Sequence, residues 1–259
     1  MTPTVPRFEE LAAPSHWRTV DFLSDLHLQA SEPATVAAWQ NYLQTTPADA
    51  LFILGDLFEV WVGDDAIGEP GSFEAQACAA LQAAAQRMDV HFMHGNRDFL
   101  AGPAFLRHCG ITGLQDPAVL GFGGQRIVLS HGDLLCLEDV DYQRFRLQAR
   151  SAQWQERFLA QPLAQRRAQA RGIRAESEAR KQSGAVYADV DGPAAIAWLQ
   201  AAHATTLVHG HTHRPATHTL APGLRRVVLS DWDAAAHPPR ADVLRLTPQG
   251  LERIAIAPT

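Results

Sequence analysis

The chain contains a single lysine, Lys181, among 22 basic residues, so arginine supplies nearly all of its positive charge. Cysteine is scarce as well, with Cys78, Cys109 and Cys136 the only three in 259 residues. They lack metal-type spacing, which argues for reduced packing thiols in a cytosolic setting. No apolar run approaches the roughly 18 residues needed to span a bilayer, and no basic-plus-apolar leader is visible. These absences predict a protein made and kept inside the cell. Internal repeats and low-complexity linkers are also missing. With 46% hydrophobic and 19% charged residues, the chain can bury a substantial core. Its length suits one α/β domain over residues 1–259 carrying an insertion.

What is present is a set of five short segments in which an apolar run ends in metal-binding side chains. They are Leu23-Ser24-Asp25-Leu26-His27, Leu54-Gly55-Asp56, His94-Gly95-Asn96-Arg97-Asp98, Ser130-His131-Gly132-Asp133 and Val208-His209-Gly210-His211-Thr212-His213. The preceding runs, Thr19 to Leu23, Leu51 to Leu54, Val90 to Met93, Ile127 to Leu129 and Thr205 to Val208, read as strands buried on both faces. In open α/β sheets ligands bind beyond the carboxyl ends of strands, so the five loops should converge on one crevice. Helical patterns at Pro33 to Leu43, Phe73 to Arg87 and Pro193 to Ala202, the last behind a cap at Asp191, alternate with the strands. The tail, with strands at Arg226 to Leu229, Asp242 to Leu246 and Leu251 to Ile256, predicts a second sheet of mixed or antiparallel character.

A lone aspartate after a strand is usually a turn former, and a lone histidine is usually a surface or packing residue. That reading applies to His16, His91, His94, His108, His203, His209, His218 and His237. It does not account for five such blocks in one chain.

The order Asp-x-His, Gly-Asp, Gly-Asn-x-Asp, His-Gly, Gly-His-x-His resembles the calcineurin-like metallophosphoesterase superfamily. The resemblance implies a four-layer α/β (α+β) fold: two packed mixed β-sheets flanked by helices, with an inserted helical cap at about 140–188. It also implies two divalent cations, Mn²⁺ the expected metal, since carboxylate, amide oxygen and imidazole accept several transition metals. Asp25, His27, Asp56 and His213 would hold one cation, and Asp56, Asn96, His131 and His211 the other. Catalytic roles would fall on Asp56, Asn96, His131 and His211. Such a centre activates water for in-line attack on phosphorus. Glu59, Asp64 and Asp65 read as turn formers or hydrogen-bonding neighbours, and Asp98 and Asp133 as residues that orient ligand loops.

Charge is distributed unevenly. From Tyr142 to Lys181 ten basic residues face three acidic ones, a net of +7, so in a chain of −6 the remainder carries −13. The segment is helical and partly apolar, with Pro162 and Gly172 expected to divide it into two or three helices. A basic amphipathic insertion suits an anionic headgroup or membrane surface. Nucleic acid is disfavoured, because no interleaved aromatic or glycine-rich RNA-binding motif accompanies the charge.

Longer strings narrow the resemblance. Gly55 to Asp65, His94 to Leu100, His131-Gly132-Asp133 with Asp139 beyond it, Tyr142 to Arg146 and His209 to Pro215 are similar to the branch of the superfamily that hydrolyses UDP-2,3-diacylglucosamine. That branch releases UMP and the lipid 1-phosphate in lipid A biosynthesis, as a peripheral protein on the cytoplasmic face of the inner membrane. The cap would then accommodate acyl chains and turn a basic exterior to anionic lipid. Substrate contacts carry over to Asn96, Arg97, Asp139, Ser177, Lys181 and His211. Two departures stand out: Ser183-Gly184 replaces a polar or basic contact, and Ser230-Asp231-Trp232-Asp233 replaces a Gly-x-Trp-His string, expected as a surface variation. Rival functions are another phosphoesterase, acting on nucleotides or phosphoproteins, and a non-catalytic metal-stabilised scaffold. Oligomeric state is not legible.

Overall fold

Strands without polar alternation must be covered on both faces, and the centre of this fold is built from such strands. The computed structural model describes residues 5–182 and 188–256, with the side chains of residues 175–182 outside that description. The strands are β1 (Glu9–Ala12), β2 (Val20–Leu23), β3 (Ala50–Leu54), β4 (Asp89–Met93), β5 (Thr112–Leu114), β6 (Ala118–Phe122), β7 (Gln125–Ser130), β8 (Thr206–His209), β9 (Thr217–Ala221), β10 (Leu224–Val228), β11 (Asp242–Thr247) and β12 (Gly250–Ala255). The helices are α1 (Pro33–Thr45), α2 (Phe73–Ala85), α3 (Pro103–Cys109), α4 (Val140–Ala149), α5 (Ala152–Leu159), α6 (Leu163–Gln182) and α7 (Gly192–Ala201). Every residue of β2, β3 and β8 is buried.

Two six-stranded mixed sheets result, ordered β12-β11-β2-β3-β4-β5 and β1-β6-β7-β8-β10-β9. They face each other across a shared core in which Phe22, Phe52 and Leu54 of the first sheet meet Leu120, Ile127, Leu129 and Val208 of the second. The outer face of the first sheet, with Leu51, Ile53 and Phe92, is covered by Trp39 and Leu43 of α1, Leu81 of α2 and Phe105 of α3. On the outer face of the second, Val119, Val128 and Leu207 pack under Ala195, Trp198 and Leu199 of α7. Each fully buried large aliphatic or aromatic side chain in these layers contributes about 1.5–3 kcal/mol. The four-layer arrangement is the one the family resemblance implies, and the cap on α7 is Asp191, as the sequence predicts, its side chain accepting from Ala194 N. The three cysteines are free and buried.

Two expectations need correction. The carboxyl-terminal strands do not form a sheet of their own: β10 joins β8 in parallel, while β11 pairs antiparallel with β2. Strand patterns specify burial, whereas the pairing partner is chosen by long-range packing. The insertion breaks at Arg150-Ser151 and before Leu163, but Gly172 stays inside α6. A helical glycine costs only about 1 kcal/mol, and α6 is tied down on both sides of it. Arg166 binds Val62 O and Asp65, Arg167 binds Glu69 and Glu74, and Arg174 binds Glu59.

Candidate metal centre

Parallel pairing of β2, β3 and β4 places their loops side by side, and the pairing of β7 with β8 does the same in the other sheet. The loops stay stitched beyond the strands. Asp25 N donates to Gly55 O, His27 N to Asp56 O, and Gly210 N to His131 O. Five residues in these loops, Asp25, His27, Asp56, His211 and His213, have positive φ between 49° and 67°. His203 is the only other non-glycine residue described with positive φ. Left-handed backbone in non-glycine residues costs about 1–3 kcal/mol each and persists only where surrounding structure enforces it. The strain aims side chains inward that an extended chain would splay apart.

Two glycines permit the close approach. A Cβ at Gly95 would collide with the Asp56 carboxylate and backbone N, and one at Gly210 with Asp25 and Ser24. No side chain fits either place.

The donors gather in two overlapping groups. Around the Asn96 amide oxygen lie His131 Nε2 at 3.0 Å and His211 Nδ1 at 2.9 Å, with Asp56 Oδ2 at 3.1 Å from the same amide position. Ligand bonds of about 2.1 Å at right angles put neighbouring donors about 3.0 Å apart, so this spacing suits a shared cation. The Asn96 amide nitrogen meanwhile lies 3.1 Å from Arg97 Nε, a donor facing a donor. Turning the amide satisfies the hydrogen bonds of the bare protein, and with the oxygen inward its lone pairs would share a point with the imidazoles. In the second group His213 Nε2 lies 3.3 Å from His27 Nε2 and 3.4 Å from Asp25 Oδ1. Asp25 Oδ1 is buried and has no hydrogen-bond partner. Asp25, Asp56 and His131 place ligand atoms within 4.8 Å of one another, which joins the groups. A buried carboxylate oxygen facing imidazole nitrogens fits a hard or borderline divalent cation.

Surrounding hydrogen bonds fix which lone pairs face inward. The His131 Nδ1 donates to Leu54 O at 2.9 Å, leaving Nε2 for the centre. Ser24 Oγ and His211 N both donate to Asp25 Oδ2. Asp98 accepts from Leu57 N and Gly95 N, each at 2.8 Å, and so clamps two ligand loops as expected. Burial and the charge of Asp56 push Asp98 up to about 7.

The electrostatics are those of a site built around positive charge. Burial disfavours a charged Asp25, yet the His213 imidazole 3.4 Å away, with help from the charges of His131 and His27, holds its carboxyl far below the usual range. Burial raises Asp56, and the neighbouring Asp25 adds to the rise. Although burial opposes it, the carboxylates of Asp56, Asp25 and Asp133 push the His131 imidazole up to about 9. Burial and His131 together take His211 down to about 4. Protons on such histidines occupy the lone pairs that cations compete for.

Other predicted residues fall as follows. The backbone N of Arg97 donates to Asp56 Oδ1 at 2.8 Å, and its guanidinium lies beside the centre with Nε 3.9 Å from Asp56 Oδ2. Asp139 caps α4 by accepting from Tyr142 N. Ser177 and Lys181 lie on α6 with their side chains outside the described set, and Ser183 and Gly184 lie outside the described residues altogether. Asp133 anchors the insertion rather than a ligand loop, accepting from Tyr142 Oη at 2.5 Å and Arg146 Nε at 2.8 Å of α4. Asp64 accepts from Gly102 N and Phe105 N at the start of α3, and Asp65 pairs with Arg166. Ser230 and Trp232 are not surface variations but buried contacts, Ser230 Oγ donating to Asp242 on β11. His91 stacks on Phe52, and His209 is buried at the end of β8.

Sequence reasoning missed Asp116, which accepts from Ser130 Oγ at 2.6 Å and braces the His131 backbone. An Asp-Pro dipeptide reads only as a turn, and nothing local points 15 residues ahead. It also missed that the basic insertion spends much of its charge inward. Arg146, Arg150, Arg166, Arg167 and Arg174 all pair with acids outside the insertion.

Fold and donor set define a calcineurin-like phosphoesterase, and the chain belongs to that family, whose model matches residues 18–215. It is 45% identical over 240 residues to the UDP-2,3-diacylglucosamine hydrolase of Ralstonia nicotianae, covering 88% of each chain. The hydrolase of the same name from Chromobacterium violaceum is 43% identical, over 92% of this chain and 98% of the relative. Within the phosphoesterases, this chain is therefore a member of the UDP-2,3-diacylglucosamine hydrolase family. Among solved structures, Chaetomium thermophilum Vps29 aligns over 90% of the chain with a TM-score of 0.46 and 12% identity.

Proposed function

We propose that this protein hydrolyses the pyrophosphate bond of UDP-2,3-diacylglucosamine, water attacking the α-phosphorus to give 2,3-diacylglucosamine 1-phosphate and UMP. The observation that carries the chemistry is the convergence of Asp56, Asn96, His131 and His211 beside Asp25, His27 and His213 at separations that suit shared cations. The substrate follows from family membership over nearly the whole chain.

Asp25, His27, Asp56 and His213 would hold one divalent cation, and Asp56, Asn96, His131 and His211 the other, with Mn²⁺ the metal we favour. When bound, the pair supplies Lewis acidity toward phosphoryl oxygens and acidifies water. The chain's own groups do the rest. Arg97 presents a guanidinium at the edge of the centre, suited to the charge of a diphosphate oxygen. Tyr142 and Arg146 hold α4 over the site through Asp133, and the Tyr142 ring lies 5.7 Å from the His211 ring. Leu54 O and Asp116 keep His131 from turning.

A two-chain lipid also gives the insertion's apolar surface a role. Exposed large hydrophobic side chains cluster on or beside α4 to α6: Val60, Leu137, Val140, Phe145, Leu147, Leu159 and Ile173, with Leu147 73% exposed. These support acyl-chain contact and a peripheral position on the cytoplasmic face of an inner membrane; among the described residues no helix is long and apolar enough to cross one.

The test incubates purified protein with Mn²⁺ and the UDP-lipid and follows UMP and the lipid 1-phosphate. Asp56→Ala and His131→Ala should abolish release while circular dichroism stays unchanged, and Lys181→Ala should raise KM more than it lowers kcat. Brisk turnover of simple nucleotides or phosphopeptides with none of the UDP-lipid would overturn the assignment.

A further inference from the structure

Glu59 stands three residues beyond Asp56, on the loop after β3. Its Oε2 lies 3.3 Å from Nδ1 of His27, the ring nitrogen opposite the one that faces His213. Its Oε1 accepts from the Arg174 guanidinium of α6, with Nε at 2.5 Å. Backbone pairing presets this position, because Glu59 N donates to Leu28 O and Leu28 N to Leu57 O. One carboxylate therefore stands at ion-pair distance from a histidine of the candidate centre with one oxygen and binds the cap helix with the other. All three side chains are at most 20% exposed, which protects both contacts from solvent screening.

We propose that Glu59 is a positioning residue that couples the helical cap to the divalent cation held by Asp25, His27 and His213. A carboxylate behind a ligating imidazole fixes its tautomer and orientation and raises its basicity. Here that carboxylate is itself held by α6, three residues before Ser177. Docking of the cap thereby strengthens the grip of His27 on its cation, and by reciprocity cation binding steadies α6. Among the described residues the other group shows no such link to α6; the His131 Nδ1 donates to a main-chain carbonyl, Leu54 O, which belongs to the core.

This link rests on the dinuclear reading, and the test separates the two. Manganese is titrated into metal-free wild type, Glu59→Gln, Glu59→Ala, Arg174→Ala and the Glu59→Ala/Arg174→Ala pair. Paramagnetic resonance counts bound ions and reports their spin coupling. The wild type should bind two coupled ions. Glu59→Ala should weaken one of them about 10–100-fold and leave the other unchanged, with Glu59→Gln intermediate. Arg174→Ala should shift the same ion in the same direction, and the double variant should bind no more weakly than Glu59→Ala alone. Hydrogen exchange supplies a readout independent of turnover. Manganese should slow exchange of α6 amides in wild type and lose that effect in Glu59→Ala. Arg174→Ala, altered only in the cap, keeps the test decisive should Glu59→Ala fold poorly. Wild-type affinity for both ions in Glu59→Ala or Arg174→Ala, or α6 protection by manganese that survives Glu59→Ala, would overturn the coupling. A wild type that binds no coupled pair would instead sink the dinuclear reading.

Discussion

Adding one methyl group at two different glycines should move this protein in opposite directions. At Gly95 a Cβ would lie against Asp56 Oδ1 and backbone N, with Asp56 Cγ at 2.8 Å, inside the 3.0 Å that real Cβ contacts respect. The obstruction is mostly backbone and a carboxylate already held by Arg97 N, so no flexible side chain can swing away. Overpacking of this kind costs about 1–3 kcal/mol in stability. The larger effect falls on activity, because relief requires Asp56, the residue shared by both cation groups, to shift by most of an ångström. A misplacement near 1 Å costs on the order of 100-fold, or about 2.7 kcal/mol of transition-state stabilisation. At Gly172, in α6, a Cβ meets nothing within 4 Å. Alanine there should add about 0.5–1 kcal/mol through helix propensity and leave turnover unchanged. Urea unfolding and kcat/KM on the UDP-lipid, measured for Gly95→Ala, Gly172→Ala and wild type, decide the matter. Gly95→Ala with kcat/KM within threefold of wild type would refute the packing argument.

Further outcomes follow from other sites. Asp21 is fully buried and accepts from Arg245 Nε and amino group, Tyr42 Oη and Thr46 Oγ, each at 2.8 Å. Asp21→Ala should cost about 1–3 kcal/mol in urea unfolding, since it strands the buried Tyr42 hydroxyl and a partly buried guanidinium, and Arg245→Met should recover part of the loss. The bidentate Arg226 contact holds the Asp189 carboxyl well below its usual range. A depressed folded value contributes stability above the unfolded pKa and loses it as pH falls, so wild type should weaken more steeply than Arg226→Met below about pH 4. Equal slopes for the two proteins would count against that pair. Equilibrium dialysis should find two Mn²⁺ per wild-type chain and at most one in Asp56→Ala, and chelation should lower the wild-type melting temperature.

The order of the ligand blocks was legible because each ends a buried strand, and a strand's carboxyl end fixes where the next side chains emerge. The motif blocks reached Asp25, His27, Asp56, Asn96, His131, His211 and His213, and local pattern reached the core strands and the cap at Asp191. It placed Glu59 beside the ligands without saying what it holds. Tertiary structure alone decided that the tail strands divide between both sheets, that Asp116 braces His131, and that Ser230 is buried against β11. It also turned Arg166 and Arg174 from a basic surface into anchors of the cap. Sequence period encodes which face of an element is buried, a property of neighbours in the chain. Partners tens of residues away, and the left-handed turns that aim the ligands, exist only once the sheets have packed, because the rest of the fold must hold that strain in place.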